Sequence, residues 1–152
     1  MSDFNKKLLE FKEIALILEG LIIKFPINKR EEIVFDKWSL KNVVSHLNHW
    51  MKHDIDCLEA TTKGVVPYWE PDVEEFNRKG VEARKNNSWE EVYSEFAKLK
   101  TELIELYGSI SPELQNKKIW LDSNHTPIRF LEDDIKHWRD EHIKGLNNFY
   151  KK

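Results

Sequence analysis

Apolar residues recur at three- and four-residue steps in four separate stretches of the chain, which is the spacing of helices with one buried face. These stretches cover residues 4–22, 40–58, 92–110 and 131–149. No segment shows sustained strand alternation, and no turn signal joins two β-rich runs. The pattern therefore predicts an all-α protein in which four helices pack as a four-helix bundle, because each apolar stripe needs apolar neighbours.

Residues that start helices stand ahead of three of these stripes. Ser39 precedes the second stripe and is a preferred N-cap residue. Ser88 and Glu91 have the spacing of a capping box before the third. Thr126 followed by Pro127 combines a cap residue with a proline in the first turn, so we expect the fourth helix to begin there.

Two connections, residues 64–87 and 111–125, are long for loops in a compact bundle. The first is expected to contain a short extra helix near 72–84, around "DVEEFNRKG". Since no repeat or change of composition divides the chain, residues 1–152 are predicted to form one domain. The aromatic residues that these loops carry are Tyr68, Trp69 and Trp120.

Helical geometry sorts the polar residues of the second helix by direction. Relative to Leu47, and at about 100° per residue, Asp54 falls at about −20°, near the centre of the buried face. His46 lies on the flank of that face, beside Trp50, and His49 points away from it. A buried carboxylate must be paired, metal-bound or protonated, so Asp54 is a candidate functional group.

The fourth helix gives a second inward histidine. His142 shares a stripe with Leu131 and Leu146 and should face the core, whereas His137 should face outward. A neutral imidazole in such a position can donate a hydrogen bond, bind a transition metal or act as a base. Cys57, one turn from His53 on the second helix, is either a nucleophile or a buried structural thiol.

Composition and charge exclude several other classes of function. The 152 residues carry a net charge of −3 with both signs interspersed, so no basic surface predicts a nucleic-acid partner. No apolar run approaches the ~20 residues of a membrane span, and Glu19 and Gly20 interrupt the N-terminal one. With a single cysteine and no secretory signal, a cytoplasmic protein without a membrane partner is expected.

Several stretches resemble the DinB/YfiT-like superfamily of four-helix-bundle proteins, over about residues 5–150. "WSLKNVVSHLNHW" resembles the start of its second helix, and the pattern of His46, Leu47 and Trp50 is most similar to the ClbS/DfsB branch. "YWEPDVEEFNRKG", "SWEEVYSEFAKLKTELIELYGSISPEL" and "HWRDEHI" resemble the aromatic loop, the third helix and the terminal histidine-containing helix.

The resemblance implies a metal site of three histidines, as in superfamily members that bind metal. One comes from the second helix and two lie four residues apart in the last helix. His46 and His142 match two of these positions, but Trp138 stands at the third and His137 is offset by one residue. A Zn or Ni ion would then have two protein ligands, unless Asp54 or a shifted His137 contributes, and a metal-free site is an equal alternative.

Three functions remain open. The ClbS/DfsB resemblance implies a hydrolase or detoxification protein acting on an electrophilic small molecule, with His46, His142 and Asp54 as catalytic residues. The wider superfamily implies a metal-dependent thiol transferase or isomerase. The third is a non-catalytic, ligand-binding stress-response protein. In each case we expect a small-molecule pocket between the second and fourth helices, lined by Trp50, Trp69, Trp138, Tyr68 and Trp120.

The first helix suggests a further partner. Its segment "IALILEGLII" has more apolar surface than one face of a bundle helix needs. Together with the resemblance to a superfamily that is often dimeric, this predicts a homodimer.

Overall fold

Helices make up most of the chain, and the computed structural model describes residues 1–69 and 72–152. The α-helices of these residues are α1 (Asp3–Ile23), α2 (Leu40–Thr62), α3 (Val73–Ala83), α4 (Trp89–Ser109), α5 (Pro127–His137) and α6 (Lys144–Tyr150). A π-helical turn, Trp138–Ile143, follows α5 directly and leads directly into α6. The mostly helical class and the short extra helix near 72–84 are thereby confirmed.

The all-α prediction misses one small feature, a two-stranded antiparallel sheet between α1 and α2. Its strands are β1 (Ile33–Phe35) and β2 (Trp38–Ser39). Asp36 makes the turn with a φ of 57°, a left-handed conformation that Asp tolerates better than most residues. Strands of three and two residues are too short to show the alternation by which a strand is predicted.

The predicted cap residues begin three of the helices. The Ser88 hydroxyl accepts from the Glu91 backbone N–H at 3.1 Å, and the Glu91 carboxylate accepts from the Ser88 N–H at 3.0 Å. Ser39 forms the corresponding reciprocal pair with Asn42 at the start of α2. The Thr126 hydroxyl accepts from the Arg129 backbone N–H ahead of α5. These bonds satisfy backbone donors that a helix start leaves unpaired.

The core lies between α1, α2, α4 and the continuous helix from α5 to α6. Its central aromatic residue is Trp138, whose ring lies 5.0 Å from that of Phe11 and 5.9 Å from that of Phe96. Tyr107 and Phe11 are likewise buried completely. Burial of a ring of this size stabilises the fold by roughly 2–3 kcal/mol, so these contacts fix the direction of the last helix.

Helix α3 lies across α2 and covers part of its outer surface. A Cβ atom on Gly80 would come within 2.6 Å of the His49 Cβ, so only glycine permits this close approach. The Arg84 guanidinium then pairs with the Glu95 carboxylate of α4 at 2.6 Å. Residues 70 and 71, which belong to the aromatic-loop resemblance, lie outside the described residues. Within the described part of the chain, none of the helices has the length and apolar character that a membrane crossing requires.

Candidate functional site

Three histidines from two parts of the chain converge on one point, and we call them the histidine trio: His46, His137 and His142. The Nε2 atom of His137 lies 3.1 Å from that of His46 and 2.9 Å from that of His142. One ring nitrogen from each of the three lies within 4.8 Å of the others. His46 and His142 are buried, and His137 is half-buried.

The π-helical turn is what brings His137 and His142 together. In an α-helix, residues five apart differ in direction by about 140°, which is why the sequence predicts that His137 faces outward. A π-helix instead bonds residue i to residue i+5, so residues five apart lie one above the other. The prediction for His137 is therefore wrong. The π turn thus compensates for the fact that these two histidines are five residues apart instead of four.

The same turn moves Trp138 away from the predicted pocket. Trp138 is 1% exposed and its ring packs against Phe11 and Phe96 in the core. Trp138 does not line the cavity beside the trio, so the prediction that it lines the pocket is wrong. The reason is again the helical period, because at a π turn it is His137, rather than Trp138, that lies over His142.

Burial keeps the inner imidazoles of the trio neutral. Burial, and next the neighbouring His137, lower the pKa of His46 to about 3. Burial likewise lowers the pKa of His142 well below its ordinary value, with smaller contributions from His137 and His46. A neutral imidazole offers a nitrogen lone pair, which is the form that binds transition metals.

The donor set fits a tetrahedral cation with an open position. Nitrogens bound at about 2.0–2.1 Å to a tetrahedral ion lie about 3.3 Å apart, close to the observed 2.9 and 3.1 Å. Without an ion, three facing Nε2 atoms cannot each have a hydrogen-bond partner of their own, because each ring nitrogen either donates one proton or accepts through one lone pair. The Glu141 carboxylate lies 3.3 Å from His137 Nε2, at the edge of the trio.

A cavity of about 490 Å³ opens beside the trio. Of the residues predicted for the site, those in its wall are His46, Asp54, Trp50, Trp69 and Trp120. Tyr68 is 79% exposed and lies outside the wall, so its predicted pocket position is incorrect. His142 is not in the wall either and contacts the site through His137.

Asp54, in the cavity wall, and Asp134, behind it, form a buried pair of carboxyl groups. The two hydrogen-bond to each other, and the Tyr107 hydroxyl donates to Asp134 Oδ2 at 2.6 Å. Burial, and next the neighbouring Asp134, raise the pKa of Asp54 well above its ordinary value. Burial also raises the pKa of Asp134. The pair therefore retains a proton where isolated carboxyls would be ionised.

The remaining polar residues of α2 take structural positions. His49 is not exposed as predicted, because α3 covers it and the Phe76 ring lies 4.3 Å away. Cys57 is 1% exposed, and burial, with Asp54 and Asp56 adding to it, raises its pKa to about 12. Of the two alternatives for Cys57, the structure favours the buried structural thiol, since a thiol of that pKa carries almost no thiolate at neutral pH.

Sequence reasoning left His137 as a conditional ligand and missed several other residues of the site. His137 was available from its spacing, because two histidines five residues apart are what a π turn would align. Asp134 would follow from the buried Asp54 and its need for a partner on a facing helix. Nothing in the pattern singles out the further wall residues Asn77, His125 and Phe130, which α3, the loop before α5 and the start of α5 bring to the cavity.

Comparison with known proteins supports the fold alone. No protein-family model matches the chain, and no curated protein matches it. Among solved structures, an uncharacterised protein from Escherichia coli UTI89 superimposes with a TM-score of 0.84 at 16% sequence identity. The match covers 97% of this chain and 92% of that chain. The two proteins therefore have the same fold over almost their whole lengths.

Proposed function

We propose that this protein is a metal-dependent enzyme that adds a nucleophile, water or a thiol, to an electrophilic small molecule. The observation that carries the proposal is the convergence of the trio's three Nε2 atoms beside a 490 Å³ cavity, whose wall includes His46 and His137. Three imidazoles and an open position are the arrangement of catalytic rather than structural zinc sites.

Each group of the site has a distinct task in this proposal. The histidine trio holds a divalent ion such as Zn²⁺ or Ni²⁺, which when bound supplies Lewis-acid activation. The Glu141 carboxylate lies 3.3 Å from His137 Nε2, the nitrogen that would bind the ion, so it stands beside the open position and can accept a proton from a nucleophile held there. Asp54 lines the cavity, so the proton that it shares with Asp134 is available to a leaving or attacking group there.

We propose membership of the DinB/YfiT-like superfamily on the same residues. Helices α1, α2, α4 and the continuous α5-to-α6 helix would be its four-helix bundle, and His46 and His142 its matching ligands. His137 would then replace the histidine that other members carry four residues before the last, with the π turn supplying the alignment. This substitution restores three ligands to a sequence that otherwise provides two.

A second candidate, the metal-free hydrolase implied by the ClbS/DfsB resemblance, is favoured by one observation. Asp54, Asp134 and Tyr107 form a buried hydrogen-bonded chain that reaches the cavity wall without involving the trio. Such a chain can exchange a proton with a bound molecule without any ion. Under this candidate the Asp54–Asp134 pair exchanges the proton, and the protein loses no activity when stripped of metal.

Metal binding by the trio can be measured directly. We expect the protein purified without chelator to contain a transition metal in a 1:1 ratio by elemental analysis, and the stripped protein to rebind Zn²⁺ by calorimetry. His137→Ala should weaken Zn²⁺ binding by more than the roughly 10–100-fold that loss of a supporting residue costs. The matched control is His125→Ala, because His125 lines the same cavity away from the trio. Equal Zn²⁺ affinity in the two variants would contradict the proposal and favour the metal-free candidate.

A further inference from the structure

The end of the cavity away from the trio is walled by aromatic rings. We define this aromatic wall as Trp50, His53, Trp69, Trp120 and Phe130, all of which line the cavity. The Trp69 and Trp120 rings stack at 5.4 Å with an interplanar angle of 28°. The His53 ring lies 6.4 Å from that of Trp120 and is nearly parallel to it, at 16°. The rings thus form a connected surface.

Two of the three indole N–H groups of the wall already donate to acceptors of the protein. Trp120 Nε1 donates to the Pro67 carbonyl at 2.8 Å, and Trp50 Nε1 donates to Asn77 Oδ1 at 2.7 Å. These bonds fix the orientation of the two rings and leave them without a free donor. These two indoles consequently offer ring faces and edges to a ligand, which favours a planar aromatic group over a polar one.

The spacing along α2 sets the length of such a ligand. His46 belongs to the trio and His53 to the aromatic wall, and seven residues of α-helix between them rise about 10 Å. A cavity of about 490 Å³ accommodates a molecule that spans this distance. One end of the molecule would lie at the trio and the other against the aromatic wall.

We propose that the aromatic wall is a subsite for a planar aromatic ring, which a short flexible chain joins to the group held at the histidine trio. The ring subsite is inferred from the aromatic wall alone, whereas the identity of the group at the trio rests on the proposed function. The substrate class is therefore an aryl-alkyl molecule with a metal-binding or electrophilic end, rather than a small aliphatic compound.

Three hydroxamic acids test this inference as probes, because a hydroxamate binds transition metals and its substituent can be varied. They are acetohydroxamic acid, 3-cyclohexylpropanohydroxamic acid and 3-phenylpropanohydroxamic acid. We expect the phenyl probe to bind the full-length protein roughly three- to ten-fold more tightly than the cyclohexyl probe by calorimetry. Apolar burial alone would give the cyclohexyl probe equal or higher affinity, since its saturated ring is the more hydrophobic.

Variants of the tryptophans assign the preference to the wall. Trp69→Leu keeps an apolar side chain but removes a ring that is 43% exposed, so folding should not suffer. We expect it to abolish the phenyl-over-cyclohexyl preference. Trp89→Phe is the matched control, because Trp89 lies on α4 and does not line the cavity. The control should retain the full preference.

The outcomes separate this inference from the proposed function. Equal affinity for the phenyl and cyclohexyl probes, or a preference that survives Trp69→Leu, overturns the ring subsite. Repeating the titrations with Zn²⁺-loaded and stripped protein tests the trio instead, since a bound ion should strengthen all three probes alike. If Zn²⁺ strengthens none of them while the phenyl preference persists, the ring subsite stands and the metal-dependent function fails.

Discussion

Individual side chains around the cavity have protonation states that their burial dictates. His46 and His142 stay neutral because burial lowers their pKa values, whereas Asp54 and Asp134 retain a proton because burial raises theirs. All four groups therefore avoid placing an isolated charge in the interior. As a consequence, the free energy of unfolding depends on pH.

The histidines destabilise the folded state as the pH falls, and the aspartates destabilise it as the pH rises. As the pH falls below 6.5, the histidines of the unfolded chain bind protons before those of the folded protein, so the folded state loses stability. As the pH rises above the ordinary Asp value of 3.8, Asp54 ionises first in the unfolded chain. The folded state then loses stability until the pH exceeds the raised pKa of the pair.

Asp54→Asn should remove the second of these effects. Asparagine cannot ionise, and its amide can still donate to Asp134, so the variant should gain stability over the wild type at pH 8. The urea midpoint of the variant should therefore lie above that of the wild type at pH 8. Urea unfolding at pH 5 and pH 8 measures the difference, which should be larger at pH 8.

The control for that experiment is Asp56→Asn, because Asp56 is exposed on the same helix. It should change stability by less than about 0.5 kcal/mol at either pH. An Asp54→Asn protein that is less stable than the wild type at pH 8 would show that the pair is ionised and stabilising in the folded state.

Sequence reasoning reaches single residues when a strong periodicity gives them a direction. The inward positions of Asp54 and His142 followed from the stripes of their helices and are confirmed by their burial. The partners of these residues did not follow. Asp134 and Tyr107 come from other helices, and their contact with Asp54 depends on how those helices pack rather than on local pattern.

At the scale of secondary structure, the π turn from Trp138 to Ile143 determines the site. One additional residue per turn lets His137 face His142 while Trp138 faces the core. An α-helical sequence with the histidines four apart would reach the same geometry. The turn therefore acts as a local insertion that the rest of the helix tolerates.

Removing or adding one residue in this turn should have opposite consequences. Deletion of Arg139 leaves the histidines four residues apart, which an ordinary α-helix aligns, so Zn²⁺ affinity should be retained within about ten-fold. The lost ion pairs of Arg139 with Glu10 and Asp140 are on the surface and cost little. Insertion of an alanine after Arg139 separates the histidines by six residues and should abolish Zn²⁺ binding measured by calorimetry.

An alanine inserted after Gly145 is the matched control, because it disturbs the same helix but keeps the five-residue spacing of the two histidines. It should retain Zn²⁺ affinity. If both insertions abolish binding equally, helix disruption rather than histidine alignment is responsible.

Whether a helix or strand could be predicted from the sequence depended on its length. The long helices α1, α2 and α4 were predictable because each repeats its apolar spacing over several turns. The hairpin of β1 and β2 and the π turn were not, because each is shorter than the window in which a period can be detected.

At the scale of the whole molecule, the outer face of α1 carries a group of exposed apolar residues. They are Leu9, Leu16, Ile17 and Ile23. The core uses the opposite face of the helix, where Phe11 and Leu18 are completely buried. We propose that this outer face forms the homodimer interface that the sequence suggests.

Leu16→Lys tests that proposal. Leu16 is 68% exposed in the single chain, so a lysine there should not affect the fold but would bring two charges together across a dimer interface. We expect sedimentation velocity to show a dimer for the wild type and a monomer for the variant. Leu121→Lys, at a loop residue that is 86% exposed, is the control and should remain dimeric. A monomeric wild type, or a dimeric Leu16→Lys, would exclude this interface.

The burial of Cys57 has a practical consequence for the study of this molecule. Its thiol is the only one in the chain and lies on α2 within 3.7 Å of His53, behind the aromatic wall. An alkylating reagent can reach it only when α2 separates from its neighbours, so the labelling rate reports the local opening of the cavity. The rate at which Cys57 is alkylated therefore measures transient opening around α2. For the same reason, an electrophilic compound can occupy the cavity without reacting with this buried thiol.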